Sequence, residues 1–100
     1  MEIHVNVRKS QGETLISMCD EDVLGEELEE GKIHLNVKRK FYEGDKIDPD
    51  EMREYLDQAS IANLVGSTCI EKAQELGFVD KENVITVNEV PHAQFVIMKD

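Results

Sequence analysis

Tryptophan is missing from this chain, cysteine and proline occur twice each, and aromatic residues make up only 5% of its 100 positions. With so few large rings the core must be mainly aliphatic, and a single domain of this length buries roughly two thirds of its unfolded surface. Cys19 and Cys69 stand far apart and outside any C-x-x-C spacing, which excludes a disulfide framework and a zinc knuckle and fits a reducing compartment. Long apolar runs are lacking too. The longest, Phe95 to Met98, has four residues, where a membrane span needs roughly 20. Positive charge is scarce: 11 basic residues face 22 acidic ones, for a net charge of −11. That balance opposes broad contact with phosphate backbones or anionic lipid and confines any nucleic-acid contact to a local patch. Glu2 stands where a secretion signal would carry basic residues, so no targeting segment is read and a cytoplasmic location is expected.

What the chain does have is alternation. Ile3, Val5 and Val7 alternate with His4, Asn6 and Arg8, the period of a half-buried strand. Ser10-Gln11-Gly12 is turn chemistry, and a second strand over Thr14 to Cys19 completes a hairpin. Asp20-Glu21-Asp22 heads a short capped turn closed by Gly25, without the D-x-D-x-D-G spacing of a calcium loop. Glu26 to Glu30 reads as solvated surface, and a third strand is expected from about Lys32 to Arg39. The helical half opens at Asp48-Pro49-Asp50-Glu51, which combines an N-cap, a proline at the first helical position and a near capping box. Met52, Tyr55, Leu56 and Ala59 give that helix one apolar face. The apolar phase then shifts to Ala62, Val65, Gly66, Cys69, Ala73 and Leu76, which predicts a second helix from near Ser60 to a glycine stop at Gly77. Val84 to Val87 and a segment from Pro91 onward supply the last two strands. The expected fold is therefore α+β: one domain over residues 1–100, with a mostly antiparallel sheet of about five strands in the order β-β-β-α-α-β-β. The helical pair packs on one face.

On the last strand the period places His92 and Gln94 on one face with Val96 and Met98, at the wet margin of the sheet. Asn63 falls on a polar stripe of the expected second helix with Ser60, Ser67 and Gln74, either a groove lining or a solvated face. Asn63, His92, Gln94, Ser60 and Ser67 form the expected binding set, because amide, imidazole and hydroxyl groups hydrogen-bond in both directions. Ile33 to Val37 nearly repeats Ile3 to Val7. If the two strands are parallel neighbours, Arg8, Lys9, Lys38, Arg39 and Lys40 gather into a local anion patch, and His4 meets His34. Two histidines fall short of the four ligands of a closed metal site, so neither a metal nor another cofactor is expected. Cys69, central on a face of small apolar residues, reads as an inert core thiol.

The order of Cys19-Asp20, Leu24-Gly25, Phe41-Tyr42, Ala62-Asn63-Leu64-Val65-Gly66 and Pro91-His92-Ala93-Gln94 resembles the archaeal family labelled domain of unknown function 424, over essentially the whole chain. The resemblance implies a small archaeal cytoplasmic protein and an association with translation. It marks Asn63, Gly66, His92 and Gln94 as motif positions without giving them a role. Two function classes follow from the residues. One is a binding or regulatory module that presents Asn63, His92 and Gln94 to a protein partner, with local RNA contact through the basic cluster as a narrower route. The other is a small hydrolase with His92 as general base and Ser60 or Ser67 as nucleophile. The hydrolase lacks a G-x-S-x-G elbow, a phosphate loop and an H-E-x-x-H motif, so the module is the expected class. Exposed strand edges would also accommodate a homo-oligomer.

Overall fold

The computed structural model describes residues 2–97; Met98, the expected last member of the His92 face, lies outside them. β1 (Ile3–Ser10) turns into β2 (Glu13–Asp20) through Gln11 and Gly12, at φ 52° and 81°. Two successive left-handed residues make the tight turn whose twist matches that of the flanking strands. The chain then leaves the sheet. A helical turn over Glu21–Val23 leads to a small hairpin of β3 (Glu27–Glu30) and β4 (Ile33–Asn36), followed by one turn of helix, α1 (Arg39–Tyr42). β5 (Asp45–Ile47) returns to the sheet beside β1. Its entry depends on Gly44, where an added Cβ would collide with the Val5 carbonyl oxygen.

A helical turn at Pro49–Glu51 runs into α2 (Met52–Leu56) and is closed by the expected capping box, in which the Glu51 carboxylate accepts the Asp48 N–H at 3.2 Å. β6 (Ile61–Val65), α3 (Ser67–Glu75), β7 (Ile85–Val87) and β8 (Val90–Val96) complete the chain. Gly77, at φ 84°, ends α3 as expected; its N–H donates to the Gln74 carbonyl and that of Phe78 to the Ala73 carbonyl.

The main sheet runs β5-β1-β2-β6-β8-β7, with β2 and β6 parallel and every other pair antiparallel. One face carries Ile3, Val5, Ile16, Met18, Ala62, Leu64 and Ala93, buried beneath Met52 and Leu56 of α2 and Cys69, Ile70 and Ala73 of α3. The pair of helices thus sits on one face of a mostly antiparallel sheet, as the α+β reading requires. On the opposite face, residues 21–44 cover only one end, where Leu28, Val37 and Tyr42 pack on Cys19, Val65 and Val87.

Three expectations are corrected. Ile61 to Val65 is a strand, not the start of a second helix; it lies between β2 and β8 and buries Ala62, Leu64 and Val65, which hides its alternation. The acidic stretch over 26–30 contains β3, whose Leu28 points inward while its glutamates face solvent. The third strand is shorter than expected and pairs with β3, so β1 and β4 are not neighbours; β1 lies between β2 and β5.

Candidate functional site

Strand register determines what meets on the partly covered face. Three rows cross it. The first runs Lys46, His4, Cys19, Val65, His92 and Ile85; the second Asn6, Ser17, Asn63 and Gln94; the third Arg8, Leu15, Ile61 and Val96. On this face β2 and β6 each carry one polar side chain between apolar ones, β8 carries His92 and Gln94, and register aligns Ser17, Asn63 and Gln94 side by side. Residues 21–44 lie over the first row and stop at the second, leaving a cleft of about 370 Å³. Its floor is Leu15, Ser17, Asn63, His92 and Gln94, and its wall is Leu35, Asn36, Phe41 and Tyr42.

The polar groups of this floor are uncommitted. Ser17 is only 5% exposed, yet among the described residues no side-chain hydrogen bond engages Ser17, Asn63, Gln94 or the Tyr42 hydroxyl. Asn6, the fourth member of the row, is occupied: its Nδ2 donates to the Glu43 carbonyl at 2.8 Å and its Oδ1 accepts from Arg8 Nε at 3.4 Å. His92 Nδ1 lies 2.9 Å from the Leu64 carbonyl oxygen. A carbonyl can only accept, so Nδ1 carries the proton and Nε2 is left as an acceptor. Burial holds the imidazole below its ordinary pKa, against the opposing pull of that hydrogen bond, so the ring is neutral at pH 7. Burial, with the Cys19 and Cys69 thiols nearby, pushes the Tyr42 hydroxyl up to about 12, which keeps it a neutral donor.

The expected site residues divide. Asn63, His92 and Gln94 share the cleft. Ser60 does not: its Oγ accepts the Thr14 N–H at 3.1 Å, pinning the start of β6 to β2. Ser67, with Gln74, lines a separate groove between α3 and β7–β8 on the other side of the sheet, because no helical stripe links them to Asn63. The serine that does lie in the cleft, Ser17, sits two strands from His92, a separation of about 10 Å that is too long for direct proton transfer. Sequence reasoning missed Ser17, Leu35, Asn36, Phe41 and Tyr42. A single polar residue inside Leu15-Ile16-Ser17-Met18-Cys19 was the available signal for the first.

The basic cluster forms by a different route from the parallel pairing expected of it. Arg8 Nη2 donates to the Lys40 carbonyl at 2.6 Å, and its guanidinium lies 4.8 Å from the centroid of the Phe41 ring, with Lys38 Nζ at 5.8 Å. Arg39 pairs instead with Glu43 at 3.1 Å, and Lys9 alternates to the face opposite Arg8. His4 and His34 are apart. His4 is buried in the main sheet, its Nε2 3.8 Å from Glu21 and its Nδ1 without a partner, whereas His34 lies exposed on β4 beside Glu29. Among the described residues no group of three His, Cys, Asp or Glu side chains could hold a metal, and no helix is long and apolar enough to cross a membrane.

At the far end of β2 the polar chemistry is structural. The buried Asp20 carboxylate accepts the N–H groups of Thr68 at 3.0 Å and Cys69 at 2.9 Å, capping α3 from outside the helix. Desolvation raises its pKa, opposed by the hydrogen bonds from Thr68 and Cys69.

A crystal structure of an uncharacterized conserved protein from Methanopyrus kandleri has the same fold, with a TM-score of 0.84 at 23% identity, over 100% of this chain and 95% of that one. No curated protein matches the sequence significantly. The family model described as protein of unknown function, DUF424, matches residues 8–98, and the chain belongs to that family.

Proposed function

We propose that this protein is a binding module that receives a polar stretch of a protein partner in the cleft over Ser17, Asn63 and Gln94. One observation carries the reading: three adjacent side chains on three strands line the same cleft and spend none of their hydrogen-bonding capacity within the described residues. Ser17 is buried, Asn63 half-buried and Gln94 exposed, so their unused donors and acceptors are open to water or to a ligand that satisfies them. A hydroxyl and two amides can each give and accept, which suits the alternating N–H and C=O groups of a peptide. His92 adds a neutral acceptor beside them. A net charge of −11 opposes a polyanion and favours a protein partner over nucleic acid. Placement of that partner in the translation machinery of the cytoplasm, as the family resemblance implies, belongs to the same proposal.

Affinity capture from a lysate of the source organism tests the reading. A defined protein retained by the wild type is lost with Asn63→Ala and with Gln94→Ala, while both variants keep the wild-type circular dichroism and melting transition. Equal recovery by wild type and variants overturns it.

A further inference from the structure

Acidic residues outnumber basic ones two to one here, so a place where cations gather with no acid among them stands apart from the rest of the surface. Arg39, Lys46 and Lys72 each have a carboxylate partner within 4.0 Å. Among the described residues Arg8, Lys9, Lys32, Lys38, Lys40, Arg53 and Lys81 have none, and of these Arg8 and Lys38 meet at the Phe41 ring on the rim of the cleft, beside the Lys40 backbone. Arg8 is also held in position. Asn6 and the Lys40 carbonyl take two of its five N–H groups and the Phe41 ring supports its plane, leaving the rest of the guanidinium fork unused. A planar fork of this kind matches a carboxylate with two parallel hydrogen bonds. Across the same row, Leu15, Ile61 and Val96 follow Arg8 strand by strand, and Val96 is 64% exposed.

We propose that the segment bound in the cleft carries one carboxylate side chain, seated on Arg8 and Lys38, next to an apolar side chain seated on Leu15, Ile61 and Val96. The inference rests on the binding-module reading and gives its partner a chemistry. Charge complementarity selects the occupant. A single carboxylate meets the local cations while incurring the repulsion of an acidic protein once, whereas a chain of phosphates incurs it at every link. The apolar row beside the cations rewards an aliphatic neighbour, which a nucleotide backbone does not offer.

The test is a displayed library of random peptides selected on the wild-type protein. Enriched peptides share Asp or Glu beside Leu, Ile, Val or Phe. In fluorescence polarization, changing that acid to its amide weakens binding by about tenfold, the loss of one charge-assisted hydrogen-bond pair. Arg8→Gln weakens the acidic peptide equally and leaves the amide peptide unchanged; Arg8→Lys falls between. Melting curves matching the wild type show that these variants fold. Peptides that need no acid, an acid preference that survives Arg8→Gln, or a selection that enriches nothing would each overturn the inference. So would tighter binding of a random single-stranded RNA dodecamer. Peptides that depend on Asn63 and Gln94 without needing an acid defeat only this inference. Peptides that depend on Arg8 but ignore Asn63→Ala and Gln94→Ala defeat the underlying reading of the cleft.

Discussion

The Asp20 carboxylate occupies the space where any other residue at position 66 would place its Cβ. A Cβ built on Gly66 would lie 2.7 Å from both carboxylate oxygens, and the residue's φ of 114° is one that L side chains rarely adopt. Two short motifs far apart in sequence, Cys19-Asp20 and Ala62 to Gly66, are therefore halves of one joint between β2 and the start of α3. Gly66→Ala should destabilise the fold by about 2 kcal/mol or more through strain and overlap. Asp20→Ala should cost about 1–3 kcal/mol by leaving the Thr68 and Cys69 N–H groups unpaired. Urea titration of both single variants and the double variant checks the joint: the double loses less than the sum of the singles, by at least about 0.5 kcal/mol. Additive losses would show that the two residues do not share this space.

Burial of His92 predicts a pH dependence. Its pKa is held below the ordinary value of 6.5, so the unfolded chain takes up a proton before the folded one does. Stability is then complete above pH 6.5 and declines as pH falls towards the folded-state pKa. Relative to His92→Gln, the wild type should lose stability between pH 7 and pH 5 in chemical denaturation. A constant difference across that range refutes the neutral, buried imidazole.

The turn between β7 and β8 holds two non-glycine residues in left-handed conformation, Asn88 at φ 49° and Glu89 at φ 69°. Asparagine tolerates this geometry; glutamate does not. Glu89→Gly should raise stability by about 0.5–1 kcal/mol, because relief of strain exceeds the entropy glycine adds to the unfolded chain. A lower melting temperature in the variant would count against the turn as described.

Neither thiol should react in the folded protein. Burial, reinforced by Asp20 and Asp22, pushes Cys19 up to about 12, and burial with Asp20 raises Cys69 further from the thiolate range. Iodoacetamide at pH 8 should leave both unmodified by mass spectrometry and alkylate both in urea. Rapid labelling of either under native conditions would contradict its burial.

Local chemistry made much of this architecture legible. Alternation marked β1 and β8, the turn chemistry of Ser10-Gln11-Gly12 and the apolar run after it marked β2, the Asp48-Pro49 signal marked the start of the helical turn before α2, and Gly77 marked the end of α3. What escaped was decided by distant partners. β6 is nearly buried on both faces, so Ala62, Val65, Gly66 and Cys69 imitated a helical spacing. Three of the four residues of β3 are glutamate, and only Leu28 anchors it. The period of the last strand was enough to join His92 to Gln94. Asn63 reached the same cleft from a strand although its sequence suggested a helix. No local rule could set Ser17 beside it, since that adjacency comes from the parallel pairing of β2 with β6.

Because the floor of the cleft draws on three strands far apart in sequence, β2, β6 and β8, it forms only when all three are paired. A shortened polypeptide that stops before β8 has neither His92 nor Gln94 and exposes the side of β6 that β8 covers. The row of Ser17, Asn63 and Gln94 therefore exists only after β8 has docked on β6.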